Sequence, residues 1–307
     1  MPAAVTRRRV LALGVAAALA PVAAPGAIAP AVAAPLERAI PASGEALPVI
    51  GLGTWRTFDV GAGVADRAPL REVLRLFVAA GGRVIDSSPM YGAAEHVVGD
   101  LMADLGVGGR LFLATKVWTS GKEAGAAQIE QSRHRLRAPR IDLMQIHNLL
   151  DWRTHLATLR ELKAAGRVRY VGVTHYTAGA YDDLERVLRA ERLDFVQVNY
   201  SLGERDAGRR LLPLARDRGV AVLVNRPFAE GGLFRRVRER PLPAWAADIG
   251  CESWAQVFLK WIVAHPAVTC TIPATSQPKH LVENMKAGAG ALPDAALRER
   301  IAAAIRG

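Results

Sequence analysis

Only two cysteines occur in the 307 residues, Cys251 and Cys270, and neither has a second cysteine or a histidine at metal-ligand spacing. That excludes a zinc finger or ribbon. Cys270 falls in an apolar strand-like run and Cys251 opens a helix, so two buried thiols are expected rather than a bridge. A GxGxxG turn is also missing. Gly51-Leu52-Gly53-Thr54, after the first strand-like run, is too short and lacks the later glycine, which excludes a Rossmann nucleotide fold. No basic tract is interleaved with aromatics, although 40 Lys+Arg outnumber 29 Asp+Glu for a net charge of +11. Nucleic acid is therefore not an expected partner. The basic residues spread through stretches such as 133–140 and 205–218, as on a solvated surface, and such a surface also suits an anionic ligand. No apolar run is long enough for a stable membrane span.

What is present begins with a stretch expected to be a leader. Arg7, Arg8 and Arg9 precede the short apolar run VLALGVAAALA, and Ala31-Val32-Ala33 forms a small-residue cleavage site with a mature start near Ala34. Thr6-Arg7-Arg8-Arg9-Val10-Leu11 resembles the twin-arginine export signal of bacteria. The expected organisation is an export signal over 1–34, a linker over 35–47 and one domain over 48–307. The expected partner is the twin-arginine translocation machinery, and the expected location is the periplasm or the medium. Half of the residues are hydrophobic, enough for a large core.

Beyond the leader, strand-like and helix-like stretches alternate. The β-rich runs are VIGLG (49–53), VIDSS (84–88), LFLATKV (111–117), IDLMQIH (141–147), YVGVTH (170–175), FVQVNY (195–200), VAVLVN (220–225) and VTCTIP (268–273). Between them apolar residues recur at helical spacing: Leu70, Val73, Leu74, Phe77 and Val78, then Leu156, Leu159 and Leu162, then Leu184, Val187 and Leu188. Gly81, Gly166 and Gly219 stand where helices should stop. Near-continuous apolar strands call for a parallel sheet covered by helices. Eight such units point to a (β/α)8 barrel, a TIM barrel, with a longer loop at 226–250. Active sites of this architecture lie at the C-terminal strand ends. Asp86, Lys116, His147, His175, Asn199 and Asn225 fall there, with Tyr91 in the loop after the second strand.

At these residues the chain resembles the aldo/keto reductase superfamily, over roughly 48–291. The resemblance is carried by Asp86 and Tyr91 five apart in IDSSPMYG, Lys116 in LFLATKVW and His147 in IDLMQIH. Further likeness lies in GLGTW (51–55), GRVRYVGVTH (166–175), FVQVNYS (195–201) and IPATSQPKHLVEN (272–284). The implied reaction is reduction of a small aldehyde or ketone, possibly sugar-like in class, to the alcohol. Tyr91 would be the general acid/base, Lys116 would lower its pKa, Asp86 would hold Lys116, and His147 would orient the carbonyl. A free phenol near pKa 10 would need that help.

The same resemblance implies NADP(H), with NAD(H) as the alternative. Gln197 would hold the carboxamide, and Thr174-His175 stands where relatives carry a Ser-Asn pair. Asn225, Arg226 and Phe228 belong to NRPFAEGGLF (225–234), similar to the loop that clasps the pyrophosphate. Asn225 stands where many relatives place a stacking aromatic, a loss that should either weaken cofactor packing or pass the stacking role to Phe228. Thr275, Ser276 and Lys279 would meet a 2′-phosphate, and Glu283 and Asn284 the adenine. Ala274 and His280 stand where relatives place cations. Trp55, Trp118, Trp152 and Met90 would wall the substrate pocket. Two other readings compete. One is a cofactor-retaining barrel acting as a redox sensor or regulatory subunit. The other is a metal-dependent barrel hydrolase, which lacks an HxH after the first strand and the three protein ligands zinc needs.

Overall fold

The computed structural model describes Met1 and residues 34–306. The leader read over residues 1–34 lies outside the described residues but for its two ends. The described chain opens on a hairpin, β1 (Glu37–Ala39) paired antiparallel with β2 (Ala46–Pro48). Eight parallel strands follow: β3 (Leu52–Gly53), β4 (Val84–Asp86), β5 (Phe112–Val117), β6 (Ile141–His147), β7 (Val168–His175), β8 (Phe195–Asn199), β9 (Ala221–Asn225) and β10 (Cys270–Thr271). They pair in sequence order from β3 to β10. Bridges Ile50–Thr271 and Gly53–Ala274 join the first strand segment to the last and close the sheet into a barrel.

Helices separate the strands: α1 (Val64–Ala79), α2 (Ala94–Leu105), α3 (Lys122–Arg135), α4 (Trp152–Ala164), α5 (Tyr181–Ala190) and α6 (Leu211–Asp217). Between β9 and β10 come α7 (Gly232–Arg236), α8 (Trp245–Asp248) and α9 (Trp254–Val263). After β10 come α10 (Pro278–Lys286) and α11 (Ala295–Arg306). The stretch 226–250, expected to be a long loop, thus contains two short helices. Phe228 and Phe234 pack at 4.9 Å, and Phe234 packs on Phe258 of α9 at 5.6 Å, which fastens this excursion to the barrel wall.

Side-chain alternation along the strands explains why the barrel is closed below and reactive above. Ile85, Leu113, Met144, Ile146, Val171, Val173, Val196, Val198, Val222 and Val224 join the core shared with the helices. Their neighbours Val84, Phe112, Ala114, Leu143, Tyr170, Phe195, Ala221 and Leu223 form a second cluster in the lumen. Four lumenal rows are apolar at the start and polar at the end: Val84 to Asp86, Phe112 to Lys116, Leu143 to His147, Phe195 to Gln197. Gly172 makes room in this packing, since a Cβ there would meet the Phe195 carbonyl oxygen at 2.8 Å.

The hairpin corrects one expectation. Residues 35–47 are not a linker but part of a plug. Ile40 and Leu47, both fully buried, join the lumenal cluster at the N-terminal ends of the strands. Glu45 clamps the plug, accepting from Arg83 at 3.1 Å, from the Tyr170 hydroxyl at 2.8 Å and from Arg169. An open barrel end would leave this apolar lumen in water, and the hairpin covers it. Cys251 and Cys270 are both buried free thiols.

Candidate active site

Lys116 on β5 is fully buried and Asp86 at the end of β4 is 3% exposed. A buried ammonium needs a partner, and Lys116 Nζ donates to Asp86 Oδ2 at 2.7 Å and to the Ser87 carbonyl at 2.6 Å. The other carboxylate oxygen, Asp86 Oδ1, accepts from Gln197 Nε2 at 2.8 Å and from Gln145 Nε2 at 3.1 Å. Burial pushes the Lys116 pKa down, but Asp86 and Tyr91 pull it up, and the net direction is up. The ammonium is the stable form. Two of its three N–H groups are engaged by Asp86 and Ser87, and the Tyr91 phenol is the group left for the third.

Tyr91 reaches Lys116 because the chain turns after β4, where Tyr91 N donates to the Ser88 carbonyl at 3.0 Å. Its ring centroid lies 5.0 Å from Lys116 Nζ and 6.3 Å from the His147 ring, edge to face. Burial raises the phenol pKa, Lys116 lowers it and Asp86 raises it, for a net direction upward. Lys116 does pull this pKa down, as expected, but burial outweighs the pull. His147 on β6 is held neutral, its pKa depressed to about 3 by burial first, then by Lys116 and His175. Its Nδ1 lies 3.4 Å from Ser88 Oγ.

Asp86, Tyr91 and His147 line a cavity of about 710 Å³ at the C-terminal strand ends, with Lys116 buried behind them. Trp55, Met90 and Trp118 stand on its rim at 42%, 41% and 42% exposure. Gln128 accepts from the backbone N–H of Trp118 at 2.6 Å and fixes that segment. Thr174, Gln197, Asn225, Arg226 and Phe228 also line the cavity. Trp152 does not. It packs half-buried against the core, with the Arg153 guanidinium 4.4 Å over its ring. His175 is likewise absent from the wall, because its ring stacks on Tyr176 at 5.8 Å and its Nδ1 accepts from Thr177 N at 3.2 Å. Beyond β10 the wall ends at Ala274. Thr275, Ser276, Lys279, Glu283 and Asn284 follow outside it; Thr275 Oγ1 accepts from Gln277 N at 3.0 Å, Asn284 is buried, and Lys279 is exposed.

Gln197, expected to face a ligand, directs its amide N–H to Asp86, and its Oε1 accepts from Thr174 Oγ1 at 3.3 Å. Asn225 Nδ2 lies 3.5 Å from the same oxygen, which leaves Asn225 Oδ1 buried without a partner. Arg226 pairs with Glu230 at 3.3 Å, while its buried Nε has none. Arg226, Ala229 and Glu230 adopt φ values of 50°, 48° and 52°, a left-handed conformation costly for residues with a Cβ. Polar groups lacking partners beside an apolar wall suit a ligand that has an amide head on a flat ring.

Sequence reasoning missed Gln145, Ser87, Ser88, Tyr176 and Phe234. Gln145 was within reach, since it lies two residues before His147 and so shares its lumenal face. Ser87 acts through its backbone carbonyl, which leaves no residue-type signal. Tyr176 lines the cavity from a loop and Phe234 from the five-residue helix α7, too short to show a period.

A phenol, an ammonium, a carboxylate and a neutral imidazole thus meet beneath one apolar-rimmed cavity, an arrangement suited to moving a proton to and from an oxygen. The model of the aldo/keto reductase family matches residues 49–303. An aldo-keto reductase of Bacillus subtilis is 30% identical over 205 residues, 62% of this chain and 61% of its own length. The NADH-specific methylglyoxal reductase of Escherichia coli is 27% identical over 234 residues, covering 64% of this chain and 68% of that protein. Among solved structures, an aldo/keto reductase from Klebsiella pneumoniae in complex with NADP and acetate superposes with a TM-score of 0.70 at 26% identity, covering 85% of this chain and 93% of that one.

Proposed function

The chain belongs to the aldo/keto reductase family, and from that premise we propose that it is a nicotinamide-dinucleotide-dependent oxidoreductase that interconverts a small aldehyde or ketone and its alcohol. The observation that carries this reading is the fully buried Lys116–Asp86 pair set beside Tyr91 at the base of the cavity. A bound reduced dinucleotide would supply the hydride to the carbonyl carbon. Thr174, Gln197, Asn225, Arg226 and Phe228 are the wall residues to hold its nicotinamide end. Thr275, Ser276, Lys279, Glu283 and Asn284, which follow β10, are the residues proposed to meet its far end.

Tyr91 then gives its proton to the carbonyl oxygen, and Lys116 steadies the phenolate left behind. Asp86 keeps the ammonium in place. In the reverse direction the phenolate takes the proton back from the alcohol. His147, being neutral, hydrogen-bonds the carbonyl oxygen without bringing a second positive charge next to Lys116. Trp55, Trp118 and Met90 exclude water from the reacting atoms.

NADP(H) is the favoured cofactor. Thr275, Ser276 and Lys279 support it, and the Klebsiella relative was solved with NADP. NAD(H) is the alternative, because Ala274 and His280 provide no permanent cation and the Escherichia coli relative is NADH-specific. Arg7, Arg8 and Arg9 before a short apolar run further support export through the twin-arginine route to the periplasm or beyond, with Ala34 near the mature start.

The test is oxidation of NADPH or NADH by the purified protein with a panel of small aldehydes and ketones. Tyr91→Phe should lower kcat by about 10²- to 10⁴-fold while leaving the cofactor Kd, read by fluorescence quenching, within about twofold. No turnover with any carbonyl, or full activity in the variant, would refute the reading.

A further inference from the structure

Asp86 is met by donors from three strands: Lys116 on β5, Gln145 on β6 and Gln197 on β8. The two amides do not stand in equivalent positions. Gln197 lines the cavity, and its Oε1 is in contact with Thr174 and Asn225, which also line it. Gln145 does not reach the cavity; it is fully buried, paired in register with Lys116 on one side and Gly172 on the other. Its Oε1 has no hydrogen-bond partner, so its one side-chain bond is the donation to Asp86 Oδ1. Burying an amide in the lumen with its oxygen unsatisfied is unfavourable, and Leu or Met would fill the same space without that cost.

We propose that Gln145 is a positioning residue: from the strand behind the site it anchors the Asp86 carboxylate on Lys116, whatever Gln197 does at the cavity wall. A ligand amide that draws Gln197 away would remove one of the two donors on Oδ1. Gln145, out of the ligand's reach, keeps that oxygen bound and so keeps Oδ2 turned to the ammonium. Gln145 touches neither cofactor nor substrate and acts only through Asp86 and Lys116 on Tyr91. This inference rests on the proposed reductase chemistry.

The experiment is the pH profile of kcat for alcohol oxidation, in wild type, Gln145→Met and Gln145→Glu. The titratable groups around the cluster are Lys116, Tyr91, Asp86, His147 and the buried Cys270 thiol. Removing a donor from Asp86 leaves its negative charge less offset, and Asp86 already raises the Tyr91 pKa. Gln145→Met should therefore move the rising limb toward higher pH by roughly half a unit or more, with cofactor Kd unchanged. Gln145→Glu donates to Asp86 only while its own carboxyl is protonated, so it should match wild type at low pH and lose rate in an added titration step. A profile identical to wild type in both variants, with only a lowered Tm, would make Gln145 a packing residue and overturn the proposal. If Gln145→Met does not fold, the presence or absence of the added step in Gln145→Glu decides. Absence of turnover in wild type would instead strike the reductase reading itself.

Discussion

Tyr91 is a weaker acid in this cavity than in water, because burial and the Asp86 charge together outweigh the pull of Lys116. Protonated and ready to donate, the phenol suits carbonyl reduction; alcohol oxidation, which needs the phenolate, should speed up as pH rises. His147 is governed by the same forces with the opposite sign of charge. Its folded pKa of about 3 lies far below the ordinary value of 6.5, so the folded state refuses a proton that the unfolded chain accepts. Stability is unaffected by His147 above pH 6.5 and is lost progressively as pH falls from there toward 3, by a few kcal/mol at most. His147→Gln keeps a neutral hydrogen-bonding group and should remove this component. Urea melts at pH 7 and pH 4.5 should show a smaller acid loss in the variant than in wild type, by about 2 kcal/mol. His265, also depressed to about 4, contributes equally to both and cancels in the comparison. Equal acid losses would mean that His147 is solvated and not held neutral by its surroundings.

At the scale of elements, the lumenal rows set both the plug and the site. Ile40 sits at the apolar end with Phe112, Tyr170 and Phe195, and none of these four lines the cavity. Ile40→Ala should cost about 2–5 kcal/mol through lost burial and the void left behind. Calorimetry should show a Tm drop of several degrees, while kcat at a temperature where both proteins are folded stays unchanged. A large fall in kcat would show that the hairpin is coupled to the strand tops. The strands were legible in the sequence because parallel strands buried on both faces read as unbroken apolar runs, and Asp86, Lys116 and His147 stood out as polar ends of those runs. α4 (Trp152–Ala164) and α5 (Tyr181–Ala190) follow the leucine spacing closely. The hairpin was not legible. β1 and β2 have three residues each, too few for a period, and their pairing depends on a barrel that forms only later in the chain. Trp152 and His175 were misjudged for a related reason: a residue at a strand end or helix start has its place fixed by sequence, but its direction is fixed by neighbours such as Arg153 and Tyr176.

For the whole molecule, the proposed export makes binding and folding one problem. The proposed twin-arginine route carries folded proteins, and a cofactor picked up before export must stay bound where no free pool renews it. Tight binding has a thermodynamic signature. A ligand present at 100 times its Kd stabilises the native state by about 2.7 kcal/mol. For a large single domain each kcal/mol moves Tm by roughly 2–4 °C, so saturating dinucleotide should raise Tm by about 5–10 °C. The nucleotide giving the larger shift at equal concentration names the preferred cofactor, and NADPH is expected to exceed NADH through contacts at Thr275, Ser276 and Lys279. Lys279→Ala should narrow that difference without changing the NADH shift, because a 2′-phosphate is the group the two cofactors do not share. The same protein recovered from the periplasm should begin near Ala34 and release nucleotide on denaturation, and replacing Arg7 and Arg8 by Lys should leave the longer, unprocessed chain in the cytoplasm. An unprocessed N-terminus in wild type would remove the export proposal, whereas equal shifts with both nucleotides would remove only the preference for the phosphorylated cofactor.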